Sequence, residues 1–458
     1  MKKRLLSILL ICCMVLTLMP TTAFAADHYM LAVNDFWFSS DNLTYNGNSG
    51  TATYSPATKT LTLDNLNVTA TSREGSVIYS EIPDLKIVVK GTNTITIPAS
   101  LNDKTTVAVA IHEANTTISG SNASTDKLIV HSAGTNVTEA FSDGTTRAGI
   151  YTYNANLTID KVTLQMNDTS ATAYLGHSSL LYSQGALRVT NSALQSSKCQ
   201  HGIYANSGNV TVQNTTFALD NSSVSNSSGL NLAPDTTNTV TNSGGTIAAE
   251  YPLYTYGALT LGENTNKLTL NSSTFATTVK KDASAAKAGS VYFQNANVEM
   301  NGPTGIDLED AGNVTVEGGT VTANVSDQGI SVMNNGGTFT LNSGTVNLNG
   351  TSESAVGIYT YGTVNVKGGN LITSSVNCAI QQVGTNDIVF SGGTHTLDAT
   401  AAGYANNASG GWNITNGSVT VNAPVGIQLT SGKKGGLTVS GGTLDLNCTS
   451  AGIDAQSG

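Results

Sequence analysis

One short phrase returns along this chain about every 25 residues, and few folds admit such a period. It runs Gly-Ile-Tyr-Thr-Tyr, then Thr-Val-x-Val, then Gly-Gly-Thr-Val. One copy reads Gly357-Ile358-Tyr359-Thr360-Tyr361, Thr363-Val364-Asn365-Val366 and Gly369-Asn370-Leu371-Ile372-Thr373. The opening glycine recurs at Gly202, Gly229, Gly305, Gly329, Gly357, Gly426 and Gly452, with close pairs 27, 24, 28 and 26 residues apart. Degenerate starts at Leu253, Ala379 and Gly403 fill most gaps. Such self-similarity marks a solenoid, in which each unit buries its apolar face only against its neighbours.

Each repeat holds three short segments with apolar residues at alternate positions, the signature of a strand. In Asn313-Val314-Thr315-Val316 the two valines share one face; Asn209-Val210-Thr211-Val212 and Thr443-Leu444-Asp445-Leu446 repeat the pattern. Branched side chains suit a pleated surface, and glycine and asparagine tolerate the positive φ of tight corners. Three strands and three corners make one coil of an all-β, right-handed, single-stranded parallel β-helix. At roughly 4.8 Å per coil, about 15 coils would form a rod of roughly 75 Å. Leucine-rich repeats have a similar period but need leucine-dense, helix-capable stretches, which are missing; a β-sandwich array is the runner-up.

Residues 1–25 read as a secretory signal peptide. Lys2, Lys3 and Arg4 precede an apolar run from Leu5 to Met19, Pro20 breaks it, and Ala23-Phe24-Ala25 offers a small-residue cleavage site before Ala26. The run is short for a membrane anchor. Ile11 before Cys12 and Cys13 is too bulky for a lipoprotein site. The expected location is therefore outside the cell or on its surface, with no membrane association after cleavage.

The 458 residues carry 20 Lys and Arg against 30 Asp and Glu; losing Lys2, Lys3 and Arg4 takes the formal charge from −10 to −13. That excess of acid argues against nucleic-acid and anionic-membrane partners. Only 11% of residues are charged, so the surface is dominated by hydroxyls and amides, which suit sugars and solubility alike. Three cysteines follow the leader, Cys199, Cys378 and Cys448. An odd number at unequal offsets in the repeat gives no disulfide framework and points to inert, buried thiols.

Aromatics concentrate in residues 26–70 (Tyr29, Phe36, Trp37, Phe38, Tyr45 and Tyr54), ahead of Thr60-Leu61-Thr62-Leu63. This segment is expected to cap the N-terminal end of the helix, whose edge and core need cover. Irregular coils follow over 71–304, with long loops at Asn102–Thr106 and Ala133–Arg147, and tight coils over 305–458. No closing cap follows Ala451–Gly458, so either the gene product is expected to continue or the sequence is a fragment, and the missing part could hold a wall anchor or a second domain.

The stretch Gly50-Thr51-Ala52-Thr53-Tyr54-Ser55-Pro56-Ala57-Thr58-Lys59-Thr60-Leu61-Thr62-Leu63-Asp64-Asn65, with Asp84-Leu85-Lys86-Ile87-Val88-Val89-Lys90-Gly91-Thr92-Asn93, is similar to the opening of secreted repeat proteins of Gram-positive gut bacteria. Those are described as carbohydrate-binding-domain-containing and resemble the pectate-lyase-like parallel β-helix superfamily. The resemblance covers the first hundred residues and the remaining coils only generically. It implies the fold and, more weakly, glycan binding, and it supplies no catalytic motif. The Asn-Thr-Asp, Gly-Asp-Asp, Gly-His-Gly and Arg-Ile-Lys signatures of polygalacturonases are missing. So is the aspartate cluster of calcium-dependent pectate lyases.

The first strand of each coil carries the candidate site. If Ile150, Ile203, Leu253, Ile306 and Ile358 point inward, the residue after each points outward. Those positions read Tyr79, His112, Tyr151, Tyr182, Tyr204, Asn231, Tyr254 and Tyr292, then Asp307, Ser331, Tyr359, Gln381, Gln428 and Asp454. Two residues on, the same face carries Tyr153, Tyr256, Glu309 and Tyr361. The stripe reads either as a ligand-binding face or as an aromatic ladder that only stiffens the rod. In the first case Tyr151, Tyr153, Tyr204, Tyr254, Tyr256, Tyr359 and Tyr361 stack on sugar rings. Asp307 and Glu309, two apart on one strand, would set their carboxylates roughly 6–8 Å apart. That overlaps the spacing of inverting glycosidases, with Asp310 flanking, although a solvated acidic corner is the commoner outcome.

Six histidines (28, 112, 131, 177, 201 and 395) show no metal-ligand spacing and read as surface or turn residues. Trp412 reads equally as a sugar platform or as packing. No metal or other cofactor is expected. The sequence thus points to a secreted or surface, non-catalytic, monomeric binder of a polysaccharide or other surface glycan. The alternatives are a β-helix polysaccharide lyase or hydrolase using Asp307 and Glu309, and a spacer for a missing C-terminal module.

Overall fold

In a computed structural model, the described residues are 27–71, 75–101, 106–133, 145–168, 177–263, 266–334, 336–430 and 435–455. The leader over 1–25 and Cys12 and Cys13 lie outside them, as do most of the two long loops and residues 456–458. The described chain is a parallel β-solenoid of about 14 turns, one turn short of the sequence expectation.

Each turn contributes one strand to each of three parallel sheets. The first sheet holds the Gly-Ile-Tyr strands, such as Val356–Thr360, and the second the Thr-Val-x-Val strands, such as Thr363–Val366. The third follows each Gly-Gly corner. Some strands run unbroken from one sheet into the next: Asn370–Gln382 passes from the third into the first, and Ile388–Asn406 from the second through the third into the first. Register is kept from coil to coil, so like residues stack on like. In the second sheet Leu259, Val291, Val314, Phe339, Val364, Ile388 and Trp412 follow one another as direct partners. In the first, Ile306, Ile330, Ile358 and Ile380 do the same. These rows are buried and merge into one continuous core.

The recurring glycine has a steric cause. A Cβ on Gly329 would stand 2.6 Å from the carbonyl oxygen of Gly357 in the next coil, and one on Gly305 equally close to that of Gly329. The Gly-Gly corners answer to a different demand: Gly344 and Gly369 adopt φ of 86° and 71°, which a side chain resists.

Asparagines hold other corners. Asn191, Asn214 and Asn242 have φ of 50°, 50° and 46°. Each donates its side-chain amide to the previous coil, to Asp160 (2.8 Å), Asn191 (3.2 Å) and Asn214 (2.6 Å) respectively. A second ladder runs through Asn271, Asn301, Asn324 and Asn349 with bonds of 2.9, 2.8 and 2.9 Å. Asn324→Ala removes one donor and one acceptor from this ladder. It should lower stability by about 1–2 kcal/mol in urea unfolding, and an unchanged midpoint would show the ladder to be incidental.

The first described residues pair differently. His28–Val33 lies antiparallel to Phe36–Ser39 and to Gly75–Ser80, while Ser49–Ser55 lies antiparallel to Thr44–Asn46 and to Thr60–Thr69. Leu31, Phe38 and Tyr54 from this segment join the main core.

Two histidines depart from the sequence reading, and Trp412 follows its packing alternative. Trp412 is fully buried, packed against Phe390 and Tyr404 at 5.4 and 5.1 Å, so it offers no sugar platform. His395 is a core residue in the third sheet, opposite Val419, rather than a surface one. Its Nδ1 accepts from the Leu371 N–H (3.1 Å) and its Nε2 donates to the Gly392 carbonyl (2.8 Å). This fixes a neutral tautomer, and burial holds its pKa down. His201 is buried as well, 2.7 Å from Ser228 Oγ. Cys199 and Cys378 are buried free thiols, and burial raises both, Cys378 to about 12.

Candidate functional site: a cleft between two tyrosine pairs

The outward row of the first sheet is largely as the repeat implies. Tyr151, Tyr182, Tyr204, Asn231 and Tyr254 are successive partners, and Thr278, Asp307, Ser331, Tyr359 and Gln381 continue the row. Two expected members are elsewhere. His112 pairs with Tyr153, so Ala110 takes its place in the row. Tyr292 lies on the second sheet between Thr260 and Thr315. Its expected position belongs to Thr278, in a strand (Phe275–Val279) with no Gly-Ile to announce it.

The two readings of the stripe divide along the rod. Toward the N-terminus it packs. Tyr151 and Tyr182 are 3% and 1% exposed, with rings stacked 5.1 Å apart at 20°, and Tyr182 stacks on Tyr204 at 5.3 Å and 12°. With Val107, Ala110 and Ala148 they form a small apolar cluster outside the main core, and the half-buried Tyr153 and Tyr204 lean on it. Tyr151 therefore presents almost no surface to a ligand.

Further along, the tyrosines come in half-exposed pairs. Tyr254 and Tyr256 meet edge to face at 5.3 Å and 72°, their hydroxyls 3.0 Å apart. Tyr359 and Tyr361 repeat this at 5.8 Å and 74°, hydroxyls 3.5 Å apart. Four rungs separate the pairs, roughly 19 Å at ordinary strand spacing. Between them run Thr278, Asp307 and Ser331 in the first row. Lys280, Glu309 and Met333 fill the row two residues on, as the backbone bonds from Lys280, Glu309, Met333 and Tyr361 to the preceding coils show.

Asp307 and Glu309 are the centre of this interval. They are closer than the roughly 6–8 Å expected from a flat strand: a side-chain hydrogen bond joins them. A hydrogen-bonded carboxyl pair lies closer than the carboxyl separation of either class of glycosidase. Asp307 is 2% exposed. Burial is the main cause that pushes its carboxyl up to about 7. The charge and hydrogen bond of Glu309 add to it, while Ser331 and Lys280 pull the other way. Glu309 is also bridged to Lys280 (2.5 Å), whose ammonium lies 5.3 Å from the centroid of the Tyr254 ring. Burial works against the charge of Lys280, but the Glu309 carboxylate and Tyr254 beside it raise its pKa and keep it cationic.

The pair opens onto a cleft of ≈ 530 Å³ whose lining includes Asp310, Asp327, Gln328 and the exposed Met333. Lys280, Thr278, Asp327 and Met333 carried no signal in the sequence, because the unequal coil lengths around them hide which residues come abreast. Among the described residues, no group of three or more His, Cys, Asp and Glu is arranged to hold a metal ion.

Fold and site together define an all-β parallel solenoid with an aromatic and acidic cleft on one sheet. No family model, curated protein or solved structure matches the chain.

Proposed function

We propose that this protein is a secreted or cell-surface, non-catalytic binder of an extended glycan, held along the first sheet between Tyr254 and Tyr361. The observation that carries the reading is the pair of half-exposed tyrosine couples flanking one polar cleft. Tyrosine faces stack on the C–H faces of sugar rings while neighbouring polar groups fix hydroxyls. Several weak contacts on one rigid face add up along a polymer. The leader-like residues 1–25 and the resemblance near residues 50–93 point the same way.

A hydrolase or lyase is the second reading. A carboxyl that keeps its proton near neutral pH beside a cleft is what a general acid needs, although the Asp307–Glu309 contact speaks against the usual geometry. A plain spacer is the third.

Retention of the protein in native gels cast with a panel of polysaccharides separates these, with the same mixtures assayed for new reducing ends or unsaturated products. Retardation without product is the expected result, and Tyr359→Ala with Tyr361→Ala should weaken it at least about tenfold. Product from any polymer would replace the binder with an enzyme. Silence on both counts would leave the spacer.

A further inference from the structure

Along the third sheet Val298, Val321, Val346 and Leu371 stack inward coil upon coil, and Val419 and Leu444 continue the row beyond His395. His395 is 1% exposed and holds a place that the neighbouring coils give to valine or leucine. Its ring joins two coils. Nδ1 accepts from the Leu371 N–H of the preceding coil (3.1 Å), and Nε2 donates to the Gly392 carbonyl at its own Gly-Gly corner (2.8 Å). That corner is shaped to the ring, since a Cβ on Gly393 would stand 2.7 Å from His395 Cε1. Phe390 meets the ring edge to face at 5.0 Å and 74°.

A neutral ring satisfies both partners, and a protonated one does not. With a proton on each nitrogen the ring only donates, so Nδ1–H would face the Leu371 N–H and a buried charge would lack a counterion. The elements packed against it supply none. Asn370–Gln382 carries only Cys378, a buried thiol pushed up to about 12. The strand of His395 itself carries Asp398, whose carboxylate takes the Asn422 amide on the outward side (2.6 Å), and Tyr404, which burial keeps protonated. Trp412–Leu429 carries no titratable group, and Lys367, at the corner beside Gly392, is exposed. His201, also buried, differs: its Nδ1 lies 2.7 Å from Ser228 Oγ, a hydroxyl that accepts as readily as it donates.

We propose that His395 is an acid-sensitive staple between coils: on acidification its ring takes a second proton, the bond from Leu371 is lost, and the coils from Ile388 onward open. The rest of the rod stays wound, because each coil is coupled only to its neighbours. Burial holds the folded ring neutral where the unfolded one already gains its proton. The stabilisation is therefore complete above about pH 6.5 and is lost as pH falls from there. Asp307 acts in the opposite sense, so the readout has to be local.

The test is hydrogen exchange of the whole protein at about pH 7.5 and pH 5.5, corrected for the pH dependence of intrinsic exchange. The opening constant around Ile388–Phe390 and Trp412–Ile414 should rise about tenfold on acidification, while that of Leu61–Leu63 stays level. The rise should vanish in His395→Leu, which restores the residue type of the row, and in His395→Asn, which keeps an acceptor for Leu371; neither titrates. No rise in the parent, or an equal rise along the whole rod, would overturn the proposal. So would a rise that survives in either variant. Should neither variant fold, the parent decides by its exchange map and by the titration of the His395 ring followed by NMR, where an ordinary imidazole titration near pH 6.5 would overturn the proposal.

Discussion

Asp307→Asn should flatten the dependence of stability on pH between about pH 4 and pH 7. The Asp307 carboxyl keeps its proton up to about 7 in the folded protein, against an ordinary 3.8. Between those values the unfolded chain has released the proton while the folded one still holds it. Rising pH therefore favours unfolding, by up to about 1.4 kcal/mol per unit. The stabilisation is complete below the unfolded value and is lost as pH climbs through the folded one. The full swing is on the order of 4 kcal/mol. It is shared with Glu309, which is hydrogen-bonded to Asp307, and is tempered by Lys280; Asp310 and Asp327 line the same cleft.

An asparagine keeps the shape of the protonated acid, can still donate to Glu309, and does not titrate. The variant should match the parent near pH 4 and exceed it by a few kcal/mol at pH 8, as read by urea unfolding at several pH values. Parallel curves for the two proteins would mean that Asp307 ionises like an exposed acid. A variant less stable than the parent at pH 8 would mean that its charge stabilises the rod.

Phe339→Ala attacks the structure at its middle. Phe339 is fully buried, stacked between Val314 and Val364 in the second sheet. Removing a ring of this size from a packed core costs about 3–5 kcal/mol, part lost transfer and part cavity. In a solenoid each coil is coupled only to its neighbours, so the loss should stay local. Hydrogen exchange should lose protection first around Val314–Val316 and Val364–Val366, while Leu61–Leu63 near the other end stays protected. Uniform loss along the chain would show that the rod folds as one indivisible unit.

Much of this fold is legible in the residues themselves. The glycine period, the alternation of valine and threonine and the Asn and Gly corners each report a local demand that every coil must meet. Because a solenoid repeats one local solution, those demands add up to the global shape without long-range information. The inward isoleucines and most of the outward row follow from period two alone. His112 and Tyr292 fall outside the row that period two implies for a related reason. The strands around Val107–Ala110 and Phe275–Val279 lack the Gly-Ile mark, so the frame can slip there by two residues or by a whole strand.

The sequence by itself determined the all-β repeat, its three strands per coil, its inward rows and the presence of a tyrosine-rich face. The tertiary structure alone decided where that face packs and where it opens, burying Tyr151 and Tyr182 and leaving Tyr254, Tyr256, Tyr359 and Tyr361 half exposed. It alone joined Asp307 to Glu309, brought Lys280 abreast of them and set Asp327 at the rim. The reason is physical: pattern along a strand fixes which way a side chain points. What stands beside it depends on the lengths of the corners between coils, and a repeat with unequal corners does not reveal its register until it is wound.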